Sequence, residues 1–320
     1  MRLKFRQAAA LAGTGLADVL RQPVVLLLTV SGLGFVGLLP HLILLRLGDP
    51  ARLVRDGGLA VHLALGVIVA CLAAASTLTR DLRGGTAATA LCKPIGRDLY
   101  FLARFAGVAL AMLLFSALFL PATLLSARAV AAPYQVDGRA AWPLLLAPAA
   151  AFMLAGAAHA FANRPFAATA FPLLLAAMWA ALGYGALVGP DGEWVPAGSL
   201  LPWAVMSASL LVAALLLVIA ALAYALSVRL APAFNLSVCA AVMFLGLVSD
   251  HAFGRRAAES AGAALAYAVI PNFQAFWMPD AIARGGIPAG YVLGACAYAL
   301  LYCLVFLIAG ALLFRRVEIP

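Results

Sequence analysis

Residues Phe105 to Leu125 read FAGVALAMLLFSALFLPATLL, without one Asp, Glu, Lys or Arg. A helix that crosses the hydrocarbon core of a bilayer needs about 20 mostly apolar residues, and this stretch supplies them. The run is continuous rather than alternating, which selects a helix over a barrel strand. Working outward, the same pattern recurs at Pro23 to Leu45, Leu59 to Leu78, Ala141 to Phe161, Phe166 to Val188, Leu201 to Ser227, Ala231 to Val248 and Tyr291 to Phe314. Of 320 residues, 66% are apolar and only 10% charged, and the mean hydropathy is +1.07. A globular chain is roughly half apolar and a quarter charged, so a soluble fold could not cover its own surface here. The expected fold is an all-α polytopic membrane protein of about eight transmembrane helices, one transmembrane unit over residues 1–320.

The net charge of +9 is a topology signal rather than a nucleic-acid footprint. With the N-terminus placed in the cytoplasm and the spans alternating, the inner segments hold 13 Lys and Arg, among them Arg2, Lys4, Arg80, Arg83, Arg104 and Arg315. Against these stand Asp18, Asp81, Asp98 and Glu318, whereas the outer segments carry eight basic and eight acidic residues. Basic residues concentrate on the cytoplasmic side of membrane proteins, so both termini are expected inside.

Residues 1–22 combine Arg2, Lys4 and Arg6 with an alanine-rich stretch, as a signal peptide does, but Thr14 and Asp18 interrupt the apolar core and a full span follows directly. On a helical wheel Phe5, Ala9, Ala12, Leu16, Val19 and Leu20 share one side, and Gln7, Thr14, Asp18 and Arg21 the other, with Leu11 intruding. That predicts an amphipathic helix lying in the inner interface.

Two connections are longer than plain links. In the inner one, residues 79–98, Gly84-Gly85 breaks the outgoing helix and Thr86 can cap a new one. Ala87 to Cys92 then reads as a short helix stopped at Lys93-Pro94, with Arg97 and Asp98 ahead of the next span and Tyr100 as an interfacial anchor. The apolar Ala87, Ala88, Ala90 and Leu91 between charged turns suit insertion into a protein groove; simple anchoring of the basic residues to anionic lipid explains the charges alone. In the outer loop, residues 249–290, the stretch Ala261 to Ile270 is too short to cross the bilayer and Pro271-Asn272 ends it. This predicts a re-entrant or interfacial helical hairpin before the last span, with Phe273, Phe276 and Trp277 at headgroup depth and Asp280 following.

Chemistry-bearing constellations are sparse. Cys71, Cys239, Cys296 and Cys303 lie within apolar runs without a CxxC pair and read as small buried residues. His41, His62, His159 and His251 are far apart with no HExxH, and His159 reads as a packing residue near Asn163. Ser199 has no paired base. Asp191 and Glu193 form a solvated acidic turn. No metal, cofactor or catalytic residue is expected, and the chain carries no G-x-x-x-x-G-K-[ST] phosphate loop.

The inner loop GTAATALCKPIGRDLYFLARFAG, Gly85 to Gly107, resembles the region between the second and third helices of type-two ATP-binding-cassette permeases. The shared pattern is Asp81, Gly85, Thr86, Leu91, Pro94 and Arg97, with Arg104 and Gly107 where that family often has Lys and Gly. The N-terminal helix ending Arg21-Gln22-Pro23, the outer PNFQAFWMPD (Pro271 to Asp280) and the ending Phe314-Arg315-Arg316 are similar in style. The resemblance implies the permease subunit of an exporter in a bacterial inner membrane. It also implies a permease homodimer or paired permease and a separate cytoplasmic ATPase that binds ATP and Mg. Residues 86–92 would be the coupling helix, with Lys93 and Arg97 beside it. The family commonly has six spans; the two additional ones would be Ala141 to Val188. Two other classes stay open. An ion-coupled secondary transporter usually needs ionisable groups at mid-membrane, and no Asp, Glu, Lys or Arg stands there. A non-transporting scaffold would show no ATP-dependent substrate movement.

Overall fold

The computed structural model describes residues 2–43, 49–92, 95–130, 135–256, 260–283 and 285–317. Its elements are helical: α1 (Arg2–Leu20), α2 (Pro23–Ile43), α3 (Pro50–Ala74), α4 (Arg80–Arg83), α5 (Thr86–Leu91), α6 (Arg97–Arg128), α7 (Gly138–Ala162), α8 (Phe166–Leu187), α9 (Ala204–Leu226), α10 (Pro232–Ala252), α11 (Ala261–Val269), α12 (Pro279–Ala283) and α13 (Ala289–Arg315). Among the described residues, extended pairing is limited to an isolated bridge between Val188 and Trp194. Eight of the helical stretches are long and apolar enough to cross a membrane, and each overlaps one expected span. The chain is a multi-pass α-helical membrane protein.

Local chemistry sets the helix ends. Asp49 caps α3 by accepting from the Arg52 N–H at 3.1 Å, and Pro50 takes the first position, where its missing N–H costs nothing. This start lies nine residues before the expected Leu59, because the turns carrying Arg52, Arg55 and Asp56 are helical although they are not apolar. At the other end α3 runs without a break through a π-helical turn, Ala75–Thr79, into α4, so Pro50–Arg83 is one rod of 34 residues. Asp137 caps α7 through the Arg139 N–H. Asn163 ends α7 in the left-handed conformation, at φ 51°, which asparagine tolerates better than most residues.

The centre of the bundle is made by α3, α6 and α9, which pack on one another and are the most enclosed spans. Around them, α2 lies on α3 and α13 on α9, while α10 sits at the margin against α3 and α9. α7 and α8 pair mainly with each other as a lateral hairpin, joined to the centre through α6. The pair matches the Ala141 to Val188 stretch singled out as additional. Small residues allow the close approaches expected between membrane helices: a Cβ on Gly66 would meet Leu216, and one on Gly310 would meet Phe101 and Ala225.

Buried polar groups are mostly paired, as a low-dielectric interior requires. Ser126 donates to the Val36 carbonyl at 2.8 Å, and His62 Nε2 lies 3.0 Å from Ser116 Oγ, with its ring stacked on Phe119 and tilted against Phe115. Asn235, in the sequon Asn235-Leu236-Ser237, is fully buried and stitches α10 to the end of α9. Its Nδ2 donates to the Ala223 carbonyl at 2.8 Å and to Ser227 Oγ at 2.9 Å. Asn235→Leu should therefore lower stability by about 1–3 kcal/mol, the usual cost of orphaning buried partners, in thermal unfolding of the detergent-purified chain.

Candidate functional site

One end of the bundle carries α1, α4, α5 and the start of α6, and these elements meet at two buried charges. Asp81 lies on α4 and Arg104 on α6, and both are about 95% enclosed. The Arg104 guanidinium donates from Nε to Asp81 Oδ2 at 2.7 Å, from Nη1 to Thr14 Oγ1 at 3.1 Å and from Nη2 to Asp18 Oδ2 at 2.8 Å. Nη2 also lies 2.6 Å from Asp81 Oδ2. Asp81 in turn accepts from the Tyr100 hydroxyl at 2.6 Å and from Thr86 Oγ1 at 2.9 Å. One arginine thus faces two carboxylates, and its planar fork reaches several acceptors at once, as a lysine could not. Four elements are tied through these two side chains.

The backbone lets the charges approach. Gly107 on α6 meets α1 so closely that a Cβ would stand 2.4 Å from the Ala12 carbonyl and 2.6 Å from the Leu16 nitrogen; Gly15 fits against the Arg104 carbonyl on the other side. The α1 side read as its polar face is therefore not all turned to water, since Thr14 and Asp18 meet Arg104. Tyr100, expected as an interfacial anchor, is buried, and its ring stacks on Phe314.

The elbow itself departs from expectation in two ways. Gly85, at φ +70°, is the residue that precedes and admits α5, a conformation that favours glycine. Thr86 is not the cap; it opens α5 and its hydroxyl turns back to Asp81. Ala87, read as apolar surface for a partner's groove, is fully buried in the chain's own core, with Ala90 packed against it. What α5 leaves open is Thr86, Thr89 and the adjoining Cys92, next to exposed Arg83. Leu91 ends the helix, and Lys93 and Pro94 fall outside the described residues. Arg97 donates from Nη1 to the carbonyls of Arg315 and Val317 at 2.8 and 3.1 Å, and Asp98 pairs with Arg315, so the start of α6 holds the end of α13. Glu318 lies outside the described residues.

At the opposite end, the segment after α10 folds onto the bundle. α11 is a nine-residue helix. The aromatic residues expected at headgroup depth are enclosed by protein: Phe273 and Phe276 are buried, Phe273 against Gly246 of α10, and Trp277 is half-buried. Pro271 is buried as well, with its carbonyl beside Gly246. Asp280 pairs with Arg52, and the Pro279 carbonyl accepts from Arg55, so this segment is clamped to the first turns of α3.

Sequence reading placed Asp81, Gly85, Thr86 and Arg104 in one motif, and the structure brings Asp81, Thr86 and Arg104 into contact. It missed Asp18 and Thr14 as partners of Arg104, since nothing local links positions 86 and 90 residues apart. His159 is exposed, with Nδ1 2.8 Å from the Arg164 carbonyl at the α7–α8 turn, so it is hydrogen-bonded but not packed as expected. Among the described residues, no three His, Cys, Asp or Glu side chains converge as metal ligands. Chemically the Asp81–Arg104 site offers no nucleophile with a base. It offers a rigid charged joint. Compared with known proteins, the chain matches no family model and no curated sequence.

Proposed function

We propose that this chain is the membrane-spanning permease of an ATP-binding-cassette exporter, working as a homodimer or paired permease with a separate cytoplasmic ATPase. ATP and Mg would be held on that partner. The observation that carries this reading is the joint: α5, six residues long and turned outward between two membrane rods, is fastened through Thr86 and Asp81 to Arg104. A push on α5 would reach α3, α6 and α1 together, because the joint is stiff and shared. The basic bias of this end, taken as cytoplasmic in a bacterial inner membrane, supports the same reading.

A mild-detergent pull-down of the tagged chain, with ATP hydrolysis assayed in the eluate and partners identified, tests it. The docking surface should be probed on the open side of α5. Ala88→Pro breaks the helix, and Thr89→Glu puts a charge on its exposed face. Both should lose a co-purifying P-loop ATPase at least about tenfold, a change of ~1.4 kcal/mol, with membrane insertion intact. Arg97→Glu is a poorer probe, because Arg97 also holds the end of α13. Unchanged association in both α5 variants would remove the coupling role.

One observation favours a second reading, an ion-coupled carrier. His62 is fully buried inside the bundle, and its Nδ1 has no hydrogen-bond partner among the described residues. An intramembrane ionisable group of this kind is a functional candidate in carriers. Gradient-driven transport by a chain that purifies without any ATPase would select that reading.

A further inference from the structure

Four of the chain's eight tyrosines line a single cavity of about 550 Å³, between α13 and the segment that precedes it. Tyr291, Gly294, Tyr298 and Tyr302 follow one another along α13 at spacings of three, four and four, which places them on one helical face. Tyr267 of α11 and Asn272 complete the walls. Gly294 forms an open part of the floor, with no atom within 4 Å of where a Cβ would stand. The volume lies within the roughly 300–1,000 Å³ usual for small-molecule sites. The span from Tyr291 to Tyr302 covers about 16 Å of helix at 1.5 Å per residue, so the lining descends from the end of the bundle toward its middle.

Three of these hydroxyls bond within the walls. Tyr267 donates to Asp250 Oδ1 at 3.1 Å, Tyr291 donates to the Ala275 carbonyl at 2.7 Å, and Tyr298 accepts from the Asn272 N–H at 2.9 Å. The rings themselves are arranged in a ladder: Phe276 to Tyr298 at 6.1 Å, Tyr298 to Tyr302 at 4.9 Å and Tyr302 to Phe306 at 6.1 Å. A phenol that donates its proton to a carboxylate or carbonyl carries a more electron-rich ring, as Tyr267 and Tyr291 do here. Among the described residues no Lys, Arg or His lines the cavity; behind its wall the carboxylate of Asp250 accepts from Tyr267, in the same segment as the exposed Arg255 and Arg256. A sugar would require several free hydroxyl partners, and three of the four hydroxyls here already bond within the walls. A cation requires negative ring faces, which are abundant.

We propose that this cavity is a binding site for organic cations of the quaternary ammonium or arylphosphonium class. The cation is held among the ring faces of Tyr267, Tyr291, Tyr298 and Tyr302, the first two enriched by their donated hydroxyls, with its apolar substituents over Gly294 and Ala295. The site does not depend on the exporter reading, and its test needs no ATPase.

The probe is radiolabelled tetraphenylphosphonium, measured by equilibrium dialysis against the purified full chain in lipid nanodiscs. Saturable binding is expected, with Tyr298→Leu and Tyr302→Leu each weakening it at least about tenfold and Tyr302→Phe, which keeps the ring, within about threefold. Gly294→Leu projects into the open floor without a backbone clash and should abolish binding even if a tyrosine variant fails to fold. Benzyltrimethylammonium should displace the probe, and neopentylbenzene, its uncharged carbon isostere, should not. Non-saturable partition, equal displacement by the isostere, or full binding by Gly294→Leu would each overturn the proposal and leave an apolar groove open to lipid.

Discussion

Arg104→Leu is expected to destabilise the folded bundle by about 3–5 kcal/mol, the cost of breaking a buried ion pair from one side. The substitution leaves the Asp81 carboxylate enclosed with only the Tyr100 and Thr86 hydroxyls to stabilise its charge. Asp18, a third exposed, loses its partner too but keeps access to water. Thermal unfolding in mild detergent should show a large fall, accompanied by loss of the order of α5. The companion variant Asp81→Leu/Arg104→Leu removes both charges and should recover a substantial part of the loss, since the penalty lies in the uncompensated charge. A double variant no better than Arg104→Leu would mean that the guanidinium acts through packing. Arg104→Lys should fall between, because an ammonium cannot span Thr14, Asp18 and Asp81 together.

Gly107→Val should detach α1 from α6. Any Cβ at this position would overlap the Ala12 carbonyl and the Leu16 nitrogen, which are backbone atoms and cannot rotate aside. Overpacking of this kind costs about 1–3 kcal/mol when side chains can yield and more when they cannot. The readout is limited trypsin digestion, with cleavage after Arg21 becoming fast in the variant. Gly13→Ala is the control: its Cβ meets nothing within 4 Å, and an alanine there should be neutral or slightly stabilising. Gly107→Val and Arg104→Leu should be strongly non-additive, because loss of α1 also removes Thr14 and Asp18 from Arg104. Gly107→Val made in the Arg104→Leu background should therefore cost less than it does alone.

The spans were legible because crossing a bilayer is a demand on composition, satisfied within each segment separately. Phe105 to Leu125 announces a membrane helix without reference to any other part of the chain. The extensions at both ends were not, since Arg52, Arg55 and Arg97 prolong helices by capping and tertiary pairing rather than by hydropathy. The site was half legible. Asp81, Thr86 and Arg104 lie close enough in the chain to form a pattern, whereas Asp18 reaches Arg104 only because Gly15 and Gly107 let two helices touch. Tyr100 and Phe273 misled for one shared reason. An aromatic residue near a span end suits the lipid interface and a protein interior equally, and only tertiary packing decides between them.

The π-helical turn at Ala75–Thr79 has a consequence for the phase of the rod that contains it. Such a turn holds one residue more than an α turn, so every side chain beyond it is rotated by about 100° relative to an unbroken α-helix. Asp81 lies two residues past that turn. Deleting a single residue from the segment would leave a rod as apolar and nearly as long, still able to cross the bilayer, yet with its carboxylate swung a quarter-turn from the guanidinium. The winding of five residues thus decides which way the elbow's anchor faces.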